Sequence, residues 1–353
     1  MNDQNRTADG DENVGKVHGS HLVAAGVASG RRLLQGVDDF VLNLTAFDRQ
    51  ARVGLRAEVV TVTQKIYLDY VASQVMAWTP EEIKALRGIV AEIDALLAKR
   101  WNFRLPSPVH LVKTTGQEEG RAAYTRSDDT IVLPAGKVDT ILAADSGGDP
   151  LFPRKNTTPL RDVLIHELFH LVSKNNDRKR EALYRRIHHA ETGVPVELPD
   201  VPWPTAESDT RMPDLKITNP DTPLLDVYVE LTVPSDPRDP ASPPVTRQLL
   251  PVLMADGPYR GGSFFDYLTW YFMAVRQESS GWVAVLGPDG RPLMYKVERD
   301  SELWNQYLEK VGRNTMSELF HPEEVIAQNF VFSALLPSSD LLTDISGILA
   351  EGT

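Results

Sequence analysis

Two histidines and a glutamate, His166, Glu167 and His170, stand in the run Leu160-Arg-Asp-Val-Leu-Ile-His-Glu-Leu-Phe-His-Leu-Val172. On a helix, residues four apart project from one face, one turn above the other. Imidazoles at that spacing can share one zinc ion. The carboxylate of Glu167 stands beside the first histidine, within reach of a water on that ion. The chemistry open to such a set is hydrolysis: the cation acidifies the water and the carboxylate takes its proton. The neighbours support a buried setting. Leu164, Ile165, Leu168, Phe169, Leu171 and Val172 surround the polar residues, and Glu167 carries the one charge between Asp162 and Lys174. A helix apolar nearly all round is a buried helix. Buried polar groups need partners, and a cation is one. The alternative is a core helix whose histidines are satisfied by ordinary hydrogen bonds.

A catalytic zinc takes three protein ligands and keeps one position for water. The chain has no cysteine, so the third ligand must be His or a carboxylate. Ser173 and Asn176 occupy the places where a His-x-x-Gly-x-x-His extension needs glycine and histidine, which excludes that arrangement. Far downstream lies His321-Pro-Glu-Glu-Val-Ile-Ala-Gln-Asn-Phe330. Pro322 there can open a helix that runs through Leu335.

With the His-Glu-x-x-His run and this second helix, the chain resembles the gluzincins, whose second helix supplies a glutamate to zinc. Their pattern is Glu-x-x-x-Asp, or Glu-x-x-Ala-(Asp/Glu) in several branches. Glu324-Val-Ile-Ala-Gln328 fits it with Gln in place of the acid. Gly312-Arg-Asn-Thr315 followed by His321-Pro-Glu-Glu also looks like a group of bacterial gluzincin-like proteins. The resemblance covers roughly residues 105 to 335, and the two helix motifs are its specific part.

The resemblance implies an α+β, zincin-like fold: a small β-sheet before a buried motif helix, and a mainly helical C-terminal part. It implies one Zn2+ held by His166, His170 and Glu324, with Glu167 as general base, and hydrolysis of a peptide or protein substrate. Glu324 is preferred to Glu323 because Gln328 lies one turn on, where its amide can hydrogen-bond a metal-bound imidazole. Glu323 has Ala327 at that place. The alternative is that both glutamates merely favour the positive end of a helix dipole. Glu191 is a competitor, but Gly193 and Pro195 follow it, so no rigid helix presents it. His188 and His189 are adjacent and read as surface residues. Gluzincins commonly add a Tyr or His to hold the oxyanion. The bacterial group tends to have a tyrosine near position 317, where this chain has Ser317. His321 and Tyr228 are the remaining candidates, with Tyr295 behind them. Gln328 in place of an acid, and the long stretch between His170 and Glu324, are the two departures from the family pattern.

Other elements must position these residues. Thr79-Pro80-Glu81-Glu82 reads as a capping box opening a helix. Ile83, Leu86, Ile89, Val90, Ile93, Leu96 and Leu97 continue it at three-to-four spacing. Leu55 to Met76 also reads as helical, although Val59 to Thr63 is β-branched. Pro108 to Lys113 reads as a strand. Ala123-Tyr124-Thr125 and Thr130 to Leu133 read as two more, joined by a turn at Ser127-Asp128-Asp129. Thr158 is the expected N-cap of the motif helix, Pro159 its first turn, and Asn175-Asn176-Asp177 its end. Asp177 to Ile187 reads as a short charged helix.

Gly193 to Pro251 holds 13 of the chain's 25 prolines, so long helices cannot form there. It is expected to be an insertion, partly strand, draped over the site as a possible lid, or else a flexible linker. The aromatic run Ser263 to Val275 with Trp282 to Leu286 and Pro292 to Val297 reads as a small antiparallel sheet whose aromatics are core. The expected division is a disordered tail over 1–30, a helical and zincin-type subdomain over 31–192, a proline-rich insertion over 193–257 and a C-terminal subdomain over 258–353.

Composition excludes other classes. The net charge is −12 and no basic stripe appears, so nucleic acid is not an expected partner. No run of 18 apolar residues exists, so no membrane partner is expected. The polar start of the chain lacks the pattern of an export signal, which points to the cytoplasm. Oligomeric state is not legible. Two other functions stay open: a zinc-binding interaction module without catalysis, and a metallohydrolase acting on a non-peptide amide.

Overall fold

A computed structural model describes residues 10–56, 58–97, 100–139, 159–203, 210–312, 319–335 and 340–351. The chain folds as two compact units, each discontinuous in sequence. The first comprises Met1–Asp38, Thr63–Arg180 and Ala327–Thr353, the second Asp39–Val62 and Glu181–Ile326. Both helices and sheets contribute, so the α+β class holds.

The first unit is built on five strands: β1 (Glu12–Val17), β2 (Ser20–Ala24), β3 (Val109–Thr114), β4 (Tyr124–Arg126) and β5 (Thr130–Pro134). Their order is β1-β2-β3-β5-β4. β2, β3 and β5 run parallel, while β1 and β4 are antiparallel edges. Every residue of β5 is buried, as expected of a parallel strand covered on both faces. Residues 1–30 were expected to be a disordered tail; β1 and β2 correct this for the described part. Val14, Val17, Leu22 and Ala24 alternate into the core there. A bulge interrupts β1 between Asn13 and Gly15. Gly15 sits at φ +137, and a Cβ there would lie 2.8 Å from Val90, so glycine lets the next helix pack close.

Around this sheet lie α1 (Val27–Leu34), α4 (Gln64–Ser73), α5 (Pro80–Leu97) and the short α6 (Ala135–Val138). The capping box of α5 is present: the Thr79 N–H donates to Glu82 Oε2 at 2.7 Å, and the Glu82 N–H to Thr79 Oγ1 at 3.2 Å. α4 is shorter than expected because Val59 to Thr63 stays outside it, and Thr63 becomes its N-cap. The β4–β5 hairpin forms as expected. The unit is completed by α7 (Leu160–Asn175), the start of α8 (Asp177–Arg186), most of α10 (Pro322–Leu335) and α11 (Asp340–Ala350).

The second unit holds a six-stranded antiparallel sheet of β6 (His189–Glu191), β7 (Val227–Asp236), β8 (Asp239–Ala255), β9 (Leu268–Glu278), β10 (Gly281–Ala284) and β11 (Met294–Lys296). The order is β10-β9-β8-β7-β6, with β11 also paired to β9. Residues 193–257, expected as an insertion that is partly strand, supply β7 and β8 of this sheet, so the expected strand content is present. Residues 258–353 add β9, β10 and β11 to this sheet and then carry three α-helices, Glu302–Val311, Pro322–Leu335 and Asp340–Ala350, so the described C-terminal part is mainly helical as expected.

Pro234 and Pro244 fit because β8 meets β9 only over Gln248–Ala255, and β7 meets β6 only over Val227–Val229. Pro234 and Pro244 face each other beyond those stretches, where β7 and β8 form a two-stranded ribbon. A proline on an outer edge removes no ladder hydrogen bond.

The core of this unit collects Phe47 of α3 (Ala46–Val53) with Trp203, Met212, Leu215, Val252, Met254 and Met273. α2 (Asp39–Asn43) precedes α3, and α9 (Glu302–Val311) packs against β7. The aromatic run, expected as core, is so in part: Phe264 and Phe272 are buried, Tyr267, Trp270 and Tyr271 pack half-buried against the core, and Phe265 is exposed.

Candidate metal centre

The motif helix α7 is buried along most of its length, including Leu164, Ile165, Leu168, Phe169, Leu171 and Val172. Pro159 itself takes the N-cap position, one residue later than expected, and Thr158 lies outside the described residues. The other end is tied down by side chains. Asn176 Nδ2 donates to the Val172 carbonyl at 2.6 Å, satisfying one of the carbonyls a helix end leaves open. Lys174 Nζ donates to Thr125 Oγ1 at 2.8 Å, and Asn175 Nδ2 to the Asp128 carbonyl at 3.0 Å, which fasten α7 to the β4–β5 hairpin.

The boundary between the two units falls inside α10, after Ile326, so Glu324 is carried on the helix whose later turns belong to the first unit. Those turns pack beside α7. The Phe330 ring lies 5.3 Å from Phe169 and 4.7 Å from Trp101. Arg100 Nη1 donates to the carbonyls of Ser333 and Ala334 near the end of α10.

His166, His170 and Glu324 come together. One ligand atom from each lies within 4.8 Å of the other two, a group able to hold a metal ion. The two imidazoles are 4.8 Å apart between ring centres and nearly perpendicular, at 77°. His170 and Glu324 are buried and His166 is half-buried. Glu167 is buried beside His166 on α7. Two imidazole nitrogens and one carboxylate suit a borderline cation of low coordination number, and fit poorly the six or more oxygens that calcium or magnesium prefers.

The N-terminus of α10 is fixed at three points. His321 is its cap, Nδ1 accepting the Glu323 N–H at 3.2 Å. Tyr184 donates its hydroxyl to Glu323 Oε2 at 2.5 Å. Asn219 Nδ2 donates to Glu324 Oε1 at 2.7 Å, while its own Oδ1 accepts the Asp221 N–H. Glu323 therefore has a structural partner of its own, and the preference for Glu324 agrees with the geometry. Asn219 was missed in the sequence, where Thr218-Asn219-Pro220-Asp221 carries only the signal of a turn. Gln328, expected to orient an imidazole, is half-buried one turn along α10.

The other expected residues fall as follows. Tyr228 stands on β7 and stacks on Trp282 at 4.7 Å, and burial pushes its hydroxyl pKa up. Tyr295 cannot serve an oxyanion. Its hydroxyl donates to the Pro234 carbonyl at 2.9 Å and accepts from Arg247 Nε at 3.1 Å. Ser317 lies outside the described residues. Glu191 is half-buried on the short strand β6. His188 is exposed as expected, but His189 is not a surface residue. Its side chain is buried, with Nδ1 2.8 Å from the Ile187 carbonyl and Nε2 3.5 Å from the Tyr307 hydroxyl. Burial, helped by His321, His188 and Lys310, depresses its pKa to about 3, against the Ile187 carbonyl which favours the proton. The two neighbours differ because His188 lies in the turn after α8, at φ +62, while His189 opens β6.

No single described helix is long and apolar enough to cross a membrane. No protein-family model, curated protein or solved structure matches this chain.

Proposed function

We propose that the chain is a zinc-dependent metallopeptidase of gluzincin type, with His166, His170 and Glu324 holding the ion. The observation that carries the reading is the convergence of these three side chains from two helices distant in sequence, with a glutamate next to the first histidine. When bound, zinc supplies a Lewis acid that brings a water's pKa towards roughly 7. Three protein ligands leave a position for that water, whereas structural zinc sites are closed by four.

Glu167 is the general base. Its carboxylate accepts a proton from the attacking water, then returns it to the amine that leaves as the peptide bond breaks. Asn219 keeps Glu324 in one rotamer by donating to the oxygen Oε1. The apolar residues on the flanks of α7 keep bulk water from the base.

Metal analysis of the purified protein, run with a general protease assay on wild type and Glu167→Gln, tests the proposal. One zinc per chain in both proteins, with hydrolysis in the wild type alone, is the expected result. Absence of zinc from the wild type overturns it. Zinc with no hydrolysis of an unfolded protein, but turnover of a small non-peptide amide, would move the assignment to another class of metallohydrolase.

A further inference from the structure

Asn219, which reaches the third ligand, follows a residue, Thr218, whose N–H, carbonyl and hydroxyl are all hydrogen-bonded. Thr218 has its N–H on Asp48 Oδ1 at 3.1 Å and Oδ2 at 3.2 Å. Its carbonyl accepts from Arg52 Nη2 at 2.7 Å, and its hydroxyl donates to the Asn43 carbonyl at 2.9 Å. Each polar group of one residue is thus bound to α3 or to the end of α2. Asp48 and Arg52 are themselves a buried ion pair at 2.6 Å, one helical turn apart, with both side chains almost fully enclosed. The Arg52 guanidinium lies over two aromatic rings, 5.3 Å from the Phe40 centroid and 5.1 Å from that of Phe264. Asp48 also completes the capping box of α3 with Thr45. Thr45 Oγ1 donates to the Lys216 carbonyl at 2.8 Å, a second tie between α3 and the same stretch.

Buried ion pairs are poor stabilisers compared with apolar packing, and serve better to specify one arrangement. The arrangement specified here is the backbone at Thr218. The next side chain, Asn219, is bound at both ends of its amide, to the Asp221 N–H and to Glu324. We propose that Asp48 and Arg52 are positioning residues for the metal centre, acting through Thr218 and Asn219 on the rotamer of Glu324. The inference rests on the reading of Glu324 as a zinc ligand. It explains why the segment 39–62 is folded into the second unit, far in sequence from the rest of it. It also gives the proline-bearing stretch around Asn219 a task other than covering the site. A carboxylate ligand free to rotate binds metal less tightly, and partners that orient ligands are typically worth about 10–100-fold in affinity.

The test is zinc affinity, measured by chelator competition, on wild type, Asn219→Ala, Arg52→Lys and the double variant, with the absorption spectrum of the cobalt-loaded proteins as a second readout. Arg52→Lys keeps the charge beside Asp48 but cannot hold Asp48 and the Thr218 carbonyl in the same fork geometry. Asn219→Ala is expected to weaken zinc about 10–100-fold and to alter the cobalt bands. Arg52→Lys is expected to weaken zinc in the same sense, and the double variant to be no weaker than Asn219→Ala alone. Melting of the metal-free proteins separates this from general loosening, since Asn219→Ala should melt close to wild type. Unchanged affinity and cobalt bands in Asn219→Ala would refute the inference while leaving the metal centre standing. So would an Arg52→Lys penalty that persists in full on the Asn219→Ala background. Wild-type protein that binds neither zinc nor cobalt removes the metal-centre reading itself, and the inference with it.

Discussion

Replacing Glu82 should damage the first unit severely, through an ion pair and a helix cap at once. Both oxygens of Glu82 accept from Lys113 Nζ, at 2.8 and 2.7 Å, and Oε2 also accepts the Thr79 N–H. Each side chain of the ion pair is only 5% exposed. Lys113 stands on β3 with its ammonium 5.7 Å from the Trp78 ring centre. Glu82→Ala removes one half of this pair and leaves a buried ammonium without its counter-ion. That change typically costs about 3–5 kcal/mol. Loss of the capping box adds about 1 kcal/mol. The sum, about 4–6 kcal/mol, is comparable to the whole stability of a typical domain, roughly 5–15 kcal/mol. Glu82→Gln keeps an acceptor for the Thr79 N–H and should fall short of that cost by the capping contribution. The double variant Glu82→Gln with Lys113→Met removes the buried charge altogether and should recover most of the loss, because apolar replacement of both partners is often neutral.

Amide hydrogen exchange across α5 and β3 is the suitable assay, since a chain of two units need not unfold in one transition. A Glu82→Ala protein within about 1 kcal/mol of wild type in those amides, or a double variant as damaged as the single one, would sink the reasoning.

Three further outcomes follow from the site and the second unit. Glu167→Gln should retain zinc and lose about 10²–10⁴-fold in turnover, checked by metal content and initial rates. Removal of zinc by a chelator should lower the melting temperature, and restoring free zinc to about a thousandfold above its dissociation constant should return about 4 kcal/mol; His170→Ala should melt the same with and without zinc. His189 is neutral in the folded state down to about pH 3, whereas an unfolded chain protonates it near pH 6.5. The unfolded state then holds the extra proton, so stability present above about pH 6.5 is lost as pH falls towards 3, at roughly 1.4 kcal/mol per unit or less; denaturant melts of wild type and His189→Gln over that range should differ in slope.

Local signals carried over best from sequence to structure. The α5 capping box, the β4–β5 hairpin and the end of α7 at Asn175 each depend on neighbours within a few positions, and each formed. β1 and β2 escaped because they are short and carry polar residues on their outer face. Their place in the sheet also depends on β2 pairing with β3, more than eighty positions away. Such pairing leaves no local mark. The proline count was less telling for a related reason. It bars helices correctly, but says nothing of a strand ribbon whose partner strand supplies the missing geometry. His189 shows the limit of reading a pair of adjacent histidines: His188 is exposed in a turn at φ +62, while His189 is the buried first residue of β6.

The choice of metal-ligating carboxylate was legible only in part, and the reason lies in how α10 begins. Two adjacent glutamates in a first turn are equivalent to the helix dipole. They point in directions about 100° apart, so their surroundings must decide between them. Tyr184 engages Glu323 through its hydroxyl, and His321 takes the Glu323 N–H, which fixes the rotation of the turn. Glu324 is then left to meet His166 and His170, with Asn219 on its Oε1. The motif names the residue types, but the rotation comes from Tyr184 and Asn219, which lie on segments that no spacing rule connects to α10. A metal centre of this kind is specified twice: by the pattern on each helix, and by the hydrogen bonds that set each helix about its own axis.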